Sequence, residues 1–84
     1  MRLPIIKHLV EFIEQNDADY IEETISVLED LTENPNIKDE EIDVIGELLS
    51  NLYGAVEVNE SIINGSKQKE ALNEFMKRVQ GSIN

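Results

Sequence analysis

The stretch VIGELLSNLYGAVEV, residues 44–58, decides how the fold of this chain is interpreted. Its apolar residues recur every three or four positions, as in an amphipathic helix, yet Gly46 and Gly54 lie inside it. Each internal glycine costs about 1 kcal/mol relative to alanine. The stretch therefore predicts either a helix that breaks at a glycine or a continuous helix in which the small residues have a structural or functional role.

A helical wheel divides the residues around this stretch into two faces. We assign one face to the core because it carries the large apolar residues Ile42, Ile45, Leu49, Leu52, Val56 and Ile63, with Val44, Leu48, Ala55 and Ile62 beside them. The opposite face carries the small and acidic residues Gly46, Ser50, Gly54, Asp43, Glu47 and Glu57. The wheel thus predicts that the small residues face outward.

The outward face has two interpretations. Small residues at four-residue spacing let another helix approach closely, so these six residues are a candidate interface for a homodimer or for a protein partner. Alternatively, Gly54 kinks or splits the helix and Gly46 is a tolerated defect. In the first interpretation the acids at the rim select a basic segment, such as the carboxy-terminal helix of a second copy with Lys69, Lys77 and Arg78.

The rest of the sequence adds three more helical patterns and no strand. Asp39 is expected to cap the third helix and Gly65 to end it. We expect one all-α domain over residues 1–84, a compact four-helix domain of two helical hairpins with helix 3 the longest. The predicted helices are 3–15, 18–33, 40–64 and 67–80, followed by a polar tail at 81–84.

Composition narrows the possible functions. The 84 residues carry 18 acids against 7 lysines and arginines, and residues 11–60 hold 16 of those acids with Lys38 as the one base. Such an acidic segment repels nucleic acid and anionic membranes. Without cysteine there are no disulfides, thiolate metal sites or thiol catalysis. The absence of a long apolar run or a signal peptide predicts a soluble, cytoplasmic protein.

The motifs that could carry chemistry are weak. Residues Asp30–Glu41 fit the spacing of a calcium loop, but Pro35 occupies the position that requires glycine and a positive φ. The one histidine, His8, excludes a di-iron bundle of the Glu-x-x-His kind. No nucleophile–base pair or phosphate loop is present. We therefore expect no enzyme activity, no metal and no cofactor.

Three stretches resemble a known family: LPIIKHLVEFIE at the start, DVIGELLSNLYGAVEV in the third helix and KEALNEFMKRVQGSI at the end. Together they resemble a family of small uncharacterised all-helical proteins of Bacteroidota, a domain of unknown function. The resemblance implies no catalytic residue. It implies an accessory role beside a peroxiredoxin and a thioredoxin-like protein, and without cysteine that role would be exerted by binding.

Two functional hypotheses follow from the sequence. The first is a non-enzymatic acidic interaction protein that self-associates, as a homodimer, or docks a partner through the outward face of helix 3. The alternative is an acidic nucleic-acid mimic that inhibits a basic nucleic-acid-binding protein through the carboxylates of helices 2 and 3. Neither hypothesis includes direct binding to nucleic acid or to a membrane.

Overall fold

A computed structural model describes residues 1–83 of the chain, with side chains described for residues 1–79. It contains four helices and, over these residues, no strand. The predicted all-α class and the longest third helix are confirmed. The helices are α1 (Leu3–Gln15), α2 (Ala18–Leu31), α3 (Asp39–Ile63) and α4 (Gln68–Ile83).

Local hydrogen bonds set where the helices begin. Asp17 caps α2, since its carboxylate accepts a hydrogen bond from the backbone N–H of Asp19 at 2.8 Å. The expectation that Asp39 caps α3 is wrong, because Asp39 is already the first helical residue. The N–H of Lys38, just before it, donates instead to the Glu41 carboxylate at 3.0 Å.

The helix ends differ in part from prediction. α2 ends at Leu31, because Thr32 enters a turn in which its hydroxyl donates to the Glu29 carbonyl at 2.6 Å. Gly65 follows α3 with a φ of +113°, so its predicted role as a left-handed terminator is confirmed. α4 continues through Gly81 to Ile83, so the predicted tail is helical to that point; residue 84 lies outside the described residues.

α3 is the central element, because it contacts each of the other three helices. Within the described part of the chain α2 and α4 do not contact each other, so the architecture is three helices arranged around a fourth. The core consists of buried apolar residues from all four helices, namely Ile6, Val10, Ile13, Ile21, Ile25, Leu52, Ala55, Val58, Ala71, Leu72 and Phe75.

The molecule is flattened, with principal extents of 43 × 34 × 17 Å. Its accessible surface of 5955 Å² exceeds the value of about 5,100 Å² that the size scaling gives for a globular protein of 9.6 kDa. The excess arises because three helices pack on one long helix and leave much of its first half uncovered. Several large apolar side chains are exposed in this arrangement, among them Val27, Val44 and Ile63.

Candidate interaction surface

The most exposed group of neighbouring apolar side chains lies on the hairpin of α2 and α3. It comprises Val27, Leu31, Val44 and Leu48, with 65%, 38%, 61% and 45% of their surfaces exposed. We call these four residues the hairpin face. Each helix contributes two residues spaced four apart, so each pair forms a stripe along its helix.

Two observations place both stripes on the same side of the hairpin. Leu31 and Val44 line one shallow depression, together with Ile37 from the turn. The hydroxyl of Tyr53 donates to the Glu29 carboxylate, and this bond marks the opposite side. At 100° per residue, Glu29 lies about 160° around α2 from Val27. Tyr53 lies about 140° around α3 from Leu48. The hairpin face is therefore one continuous surface.

The α3 half of this face is the uncovered end of a core stripe. Val44 and Leu48 share a helical stripe with Asn51, Ala55 and Val58. The last three are buried, because the start of α1 and helix α4 pack on the second half of α3. Neither α1 nor α4 covers the first half of α3 as fully. Val44 and Leu48 thus continue the core stripe into the part of α3 that α1 and α4 leave largely exposed.

Carboxylates border the hairpin face on both outer edges. Four exposed acids form these edges, namely Glu23 and Asp30 on α2 and Glu40 and Glu47 on α3. Helical geometry places each of them within about 100° of a residue of the hairpin face, on the side away from the neighbouring helix. An apolar strip between two acidic edges matches a surface with apolar side chains flanked by lysine or arginine.

Gly54 does not face outward, so this part of the sequence prediction is wrong. Gly54 is buried, and a Cβ built on it would lie 3.0 Å from Ile6 Cδ1 and 3.0 Å from Phe75 Cζ. Because Gly54 has no side chain, α3 packs closely against both α1 and α4. One helical wheel could not predict which residues of α3 are buried, because α3 is buried on different sides along its length.

The other predicted interface residues differ in how far they are exposed. Gly46 and Asp43 are exposed, and a Cβ built on Gly46 would meet nothing within 4 Å. Half-buried Ser50 and Glu57 line a groove of about 460 Å³ above Gly54, with Met1, Tyr53, Phe75, Arg78 and Val79. Ser50, Gly54 and Glu57 thus line one groove, whereas Asp43, Gly46 and Glu47 are not part of its lining. The role of each of the six residues in an interface stays a prediction.

Two carboxylates of α3, those of Glu47 and Glu57, are paired within the chain. Glu57 forms an ion pair with Arg78, which the sequence interpretation had assigned to a contact with a second copy. Glu47 forms one with the amino-terminal amine of Met1. The hydrogen bond from this amine lowers the pKa of Glu47 below its usual value. Both pairs are open to solvent, which weakens them, so they contribute little to stability.

The helical wheel placed Val44 and Leu48 beside the core face of helix 3, and the sequence analysis did not single out Val27. One signal was available, since Val27 follows Ile25 by two positions and so lies about 160° from it on a helix. A valine so far from the buried stripe of an otherwise charged helix indicates an apolar site on the surface. The exposure of Val44 and Leu48 depends on how α1 and α4 pack, which no local pattern encodes.

A second surface, at the start of α1 and α4, has the opposite charge. It is a groove of about 340 Å³ lined by Leu3, Lys7, Gln68, Lys69, Leu72 and Asn73. Leu3 is 37% exposed there. Lys7 and Lys69 are exposed and form no ion pair with another described residue. We call this surface the basic groove.

Candidate metal ligands do not cluster within the described residues. Nowhere in residues 1–83 do three or more histidine, aspartate or glutamate residues come together as a group that could hold a metal ion. In the calcium-like segment, Glu41 accepts from the Lys38 N–H and the Asn34 side chain accepts from the Asn36 N–H at 2.8 Å. Two of the candidate ligands thus serve the turn and the start of α3.

The fold and these surfaces define a small all-helical protein with an exposed apolar face on α2 and α3 and a basic groove between α1 and α4. The sequence matches the family of unknown function DUF6952 over residues 1–84, so the chain belongs to that family. No curated protein and no solved structure matches it. None of the described helices combines the length and apolar character needed to cross a membrane.

Proposed function

We propose that this chain is a non-enzymatic interaction protein that uses the hairpin face to bind a basic, apolar surface of another protein molecule. The observation that carries the proposal is the exposure of Val27, Leu31, Val44 and Leu48 between two carboxylate edges. The proposal keeps the expected outward contact of helix 3 but moves it from Gly54 to the stripe of Val44 and Leu48.

The physical basis is the cost of leaving these side chains in water. Burying apolar surface contributes roughly 25 cal/mol per Å², and full burial of a valine or leucine contributes about 1.5–3 kcal/mol. The four residues retain between 38% and 65% of their surfaces, so a partner that covers them gains a substantial part of that amount. The carboxylates then determine which partner binds, because a like-charged surface is repelled.

The partner follows from the same geometry. Two parallel apolar stripes form a shallow strip that suits an amphipathic helix with apolar residues at helical spacing and lysine or arginine on its flanks. The role beside a peroxiredoxin or a thioredoxin-like protein, implied by the family resemblance, stays a prediction, as do the Bacteroidota source and the cytoplasmic location. With no cysteine in the chain, such a role would consist of binding.

The test is a calorimetric titration with a designed amphipathic peptide that has leucines on one helical face and lysines elsewhere. Three proteins are compared: the wild type, a Val44→Ser/Leu48→Ser variant, and an Ile63→Ser control. Ile63 is 74% exposed but lies outside the hairpin face, so the control removes exposed apolar surface elsewhere. All three proteins carry the same net charge.

We expect the wild type and the control to bind the peptide alike, and the double variant to bind at least about tenfold more weakly. Equal binding by all three proteins would contradict the proposal, since attraction would then depend on charge alone. If that binding also fell steeply with salt, the acidic nucleic-acid mimic would become the better interpretation.

A further inference from the structure

We infer that the partner of the hairpin face is the basic groove of a second copy of this chain, so that copies associate head to tail. This inference rests on the proposed function and names its partner. The observations that support it are the charge polarity of the chain, the apolar floor of the basic groove, and the repulsion that opposes a face-to-face dimer.

The charges of the chain are divided between two regions. Residues 11–60, which include the hairpin, hold 16 acids and Lys38. Residues 1–10 and 61–84 hold six bases and two acids, and the basic groove lies in these two segments. One copy therefore presents both an acidic apolar surface and a basic apolar surface, on different helices. Opposite charges steer the two surfaces together.

The basic groove has the chemistry that the hairpin face requires. Leu3 and Leu72 provide apolar atoms, and Lys7 and Lys69 flank them. A volume of about 340 Å³ accommodates a few aliphatic side chains, such as those of Val44 and Leu48, at the packing density of protein interiors. The inferred contact places Lys7 and Lys69 beside the carboxylates of Glu23, Asp30 and Glu40 at the edges of the hairpin face; Glu47 is already paired with the Met1 amine.

A twofold dimer through two hairpin faces is disfavoured by charge. Its symmetry would place the acidic edges of one copy beside those of the other, with Lys38 as the one base of the hairpin. A head-to-tail contact avoids this repulsion. Because such a contact joins two different surfaces, each added copy leaves one of each surface free, and the product is a ring or an open chain.

Analytical ultracentrifugation of two variants, alone and mixed, tests the inference. The face variant is Val44→Ser/Leu48→Ser, and the groove variant is Lys7→Glu/Lys69→Glu. Circular dichroism first establishes that both are as helical as the wild type. A head-to-tail contact predicts that the wild type associates with concentration and that each variant alone is monomeric.

The mixture is the decisive sample. The groove variant retains an intact face and the face variant an intact groove, so the two should form a one-to-one complex that salt weakens. Self-association of the groove variant as strong as that of the wild type would overturn the inference in favour of a face-to-face dimer. A monomeric wild type that still binds the designed peptide through the hairpin face would overturn it while leaving the proposed function standing.

Discussion

Phe75 packs so closely on the backbone of Gly54 that a Cβ at residue 54 would lie 3.0 Å from the Phe75 Cζ atom. The glycine lets α4 approach α3, and the Ile6 side chain of α1 lies equally close. Gly46, eight residues earlier on the same helix, has open space around it. Two glycines that look equivalent in the sequence therefore differ in their structural roles.

Substitution of each glycine by alanine should separate these roles. Gly46→Ala should raise the free energy of unfolding by about 0.5–1 kcal/mol, because alanine is the better helix former and meets no neighbour. Gly54→Ala should lower it, because the new methyl group displaces Ile6 and Phe75. Gly54→Leu should cost more, about 1–3 kcal/mol or above, through overpacking. Urea unfolding measures all three, and an equal gain at both positions would contradict the packing described.

Asn51 is the buried polar residue that links α3 to the start of α1. Its side chain accepts from the Arg2 N–H at 2.8 Å and donates to the Glu47 carbonyl at 2.9 Å. Asn51→Ala leaves a part-buried N–H unpaired, so we expect a loss of about 1–3 kcal/mol in unfolding free energy. Asn73→Ala, at an exposed helical site, is the matched control and should change stability little. Similar effects of the two substitutions would count against this linking role.

The ion pair between Glu47 and the amino-terminal amine predicts a pH dependence. The hydrogen bond from the amine lowers the pKa of Glu47 in the folded state below its usual 4.5. The pair's contribution to stability is therefore present above that pH and is lost as the pH falls through the folded-state pKa. Unfolding of the wild type and of Glu47→Gln should differ most at neutral pH and converge in acid. A difference that grew in acid would refute the assignment.

Tyr53 gives a second pH signature, in the alkaline range. Its hydrogen bond to Glu29 raises the pKa of Tyr53 above its usual 10. This contribution to stability is complete below pH 10 and is lost as the pH rises through the folded-state pKa. In a Tyr20→Phe background, ultraviolet titration follows Tyr53 alone, and adding Glu29→Gln should bring its pKa back toward 10. An unchanged titration would show that the bond is absent in solution.

Much of the fold was predictable from the sequence, because helical spacing, Pro35 and Gly65 act locally. Four helices were predicted within a few residues of their bounds, and Leu52 and Ala55 were correctly assigned to the core face of α3. The long α3 continues through both internal glycines to Ile63. A kink at Gly54 stays a prediction.

The exposed hairpin face was not predictable in the same way. Local periodicity shows that a residue belongs to an apolar stripe, but tertiary packing determines which part of the stripe is covered. Val44 and Val58 lie on one stripe of α3, yet Val44 is 61% exposed and Val58 is 1% exposed. Because α1 and α4 pack on the second half of α3, Gly54 became a packing site and Val44 a surface site.

The proposal that the hairpin face is the binding surface has a direct test. The amide chemical shifts of the ¹⁵N-labelled wild type are mapped during titration with the lysine–leucine peptide. We expect the largest changes at Val27, Leu31, Val44 and Leu48, and we expect Val44→Ser/Leu48→Ser to suppress them. Changes centred on Ser50 and Gly54, or spread over the acidic residues and unaffected by that substitution, would contradict it.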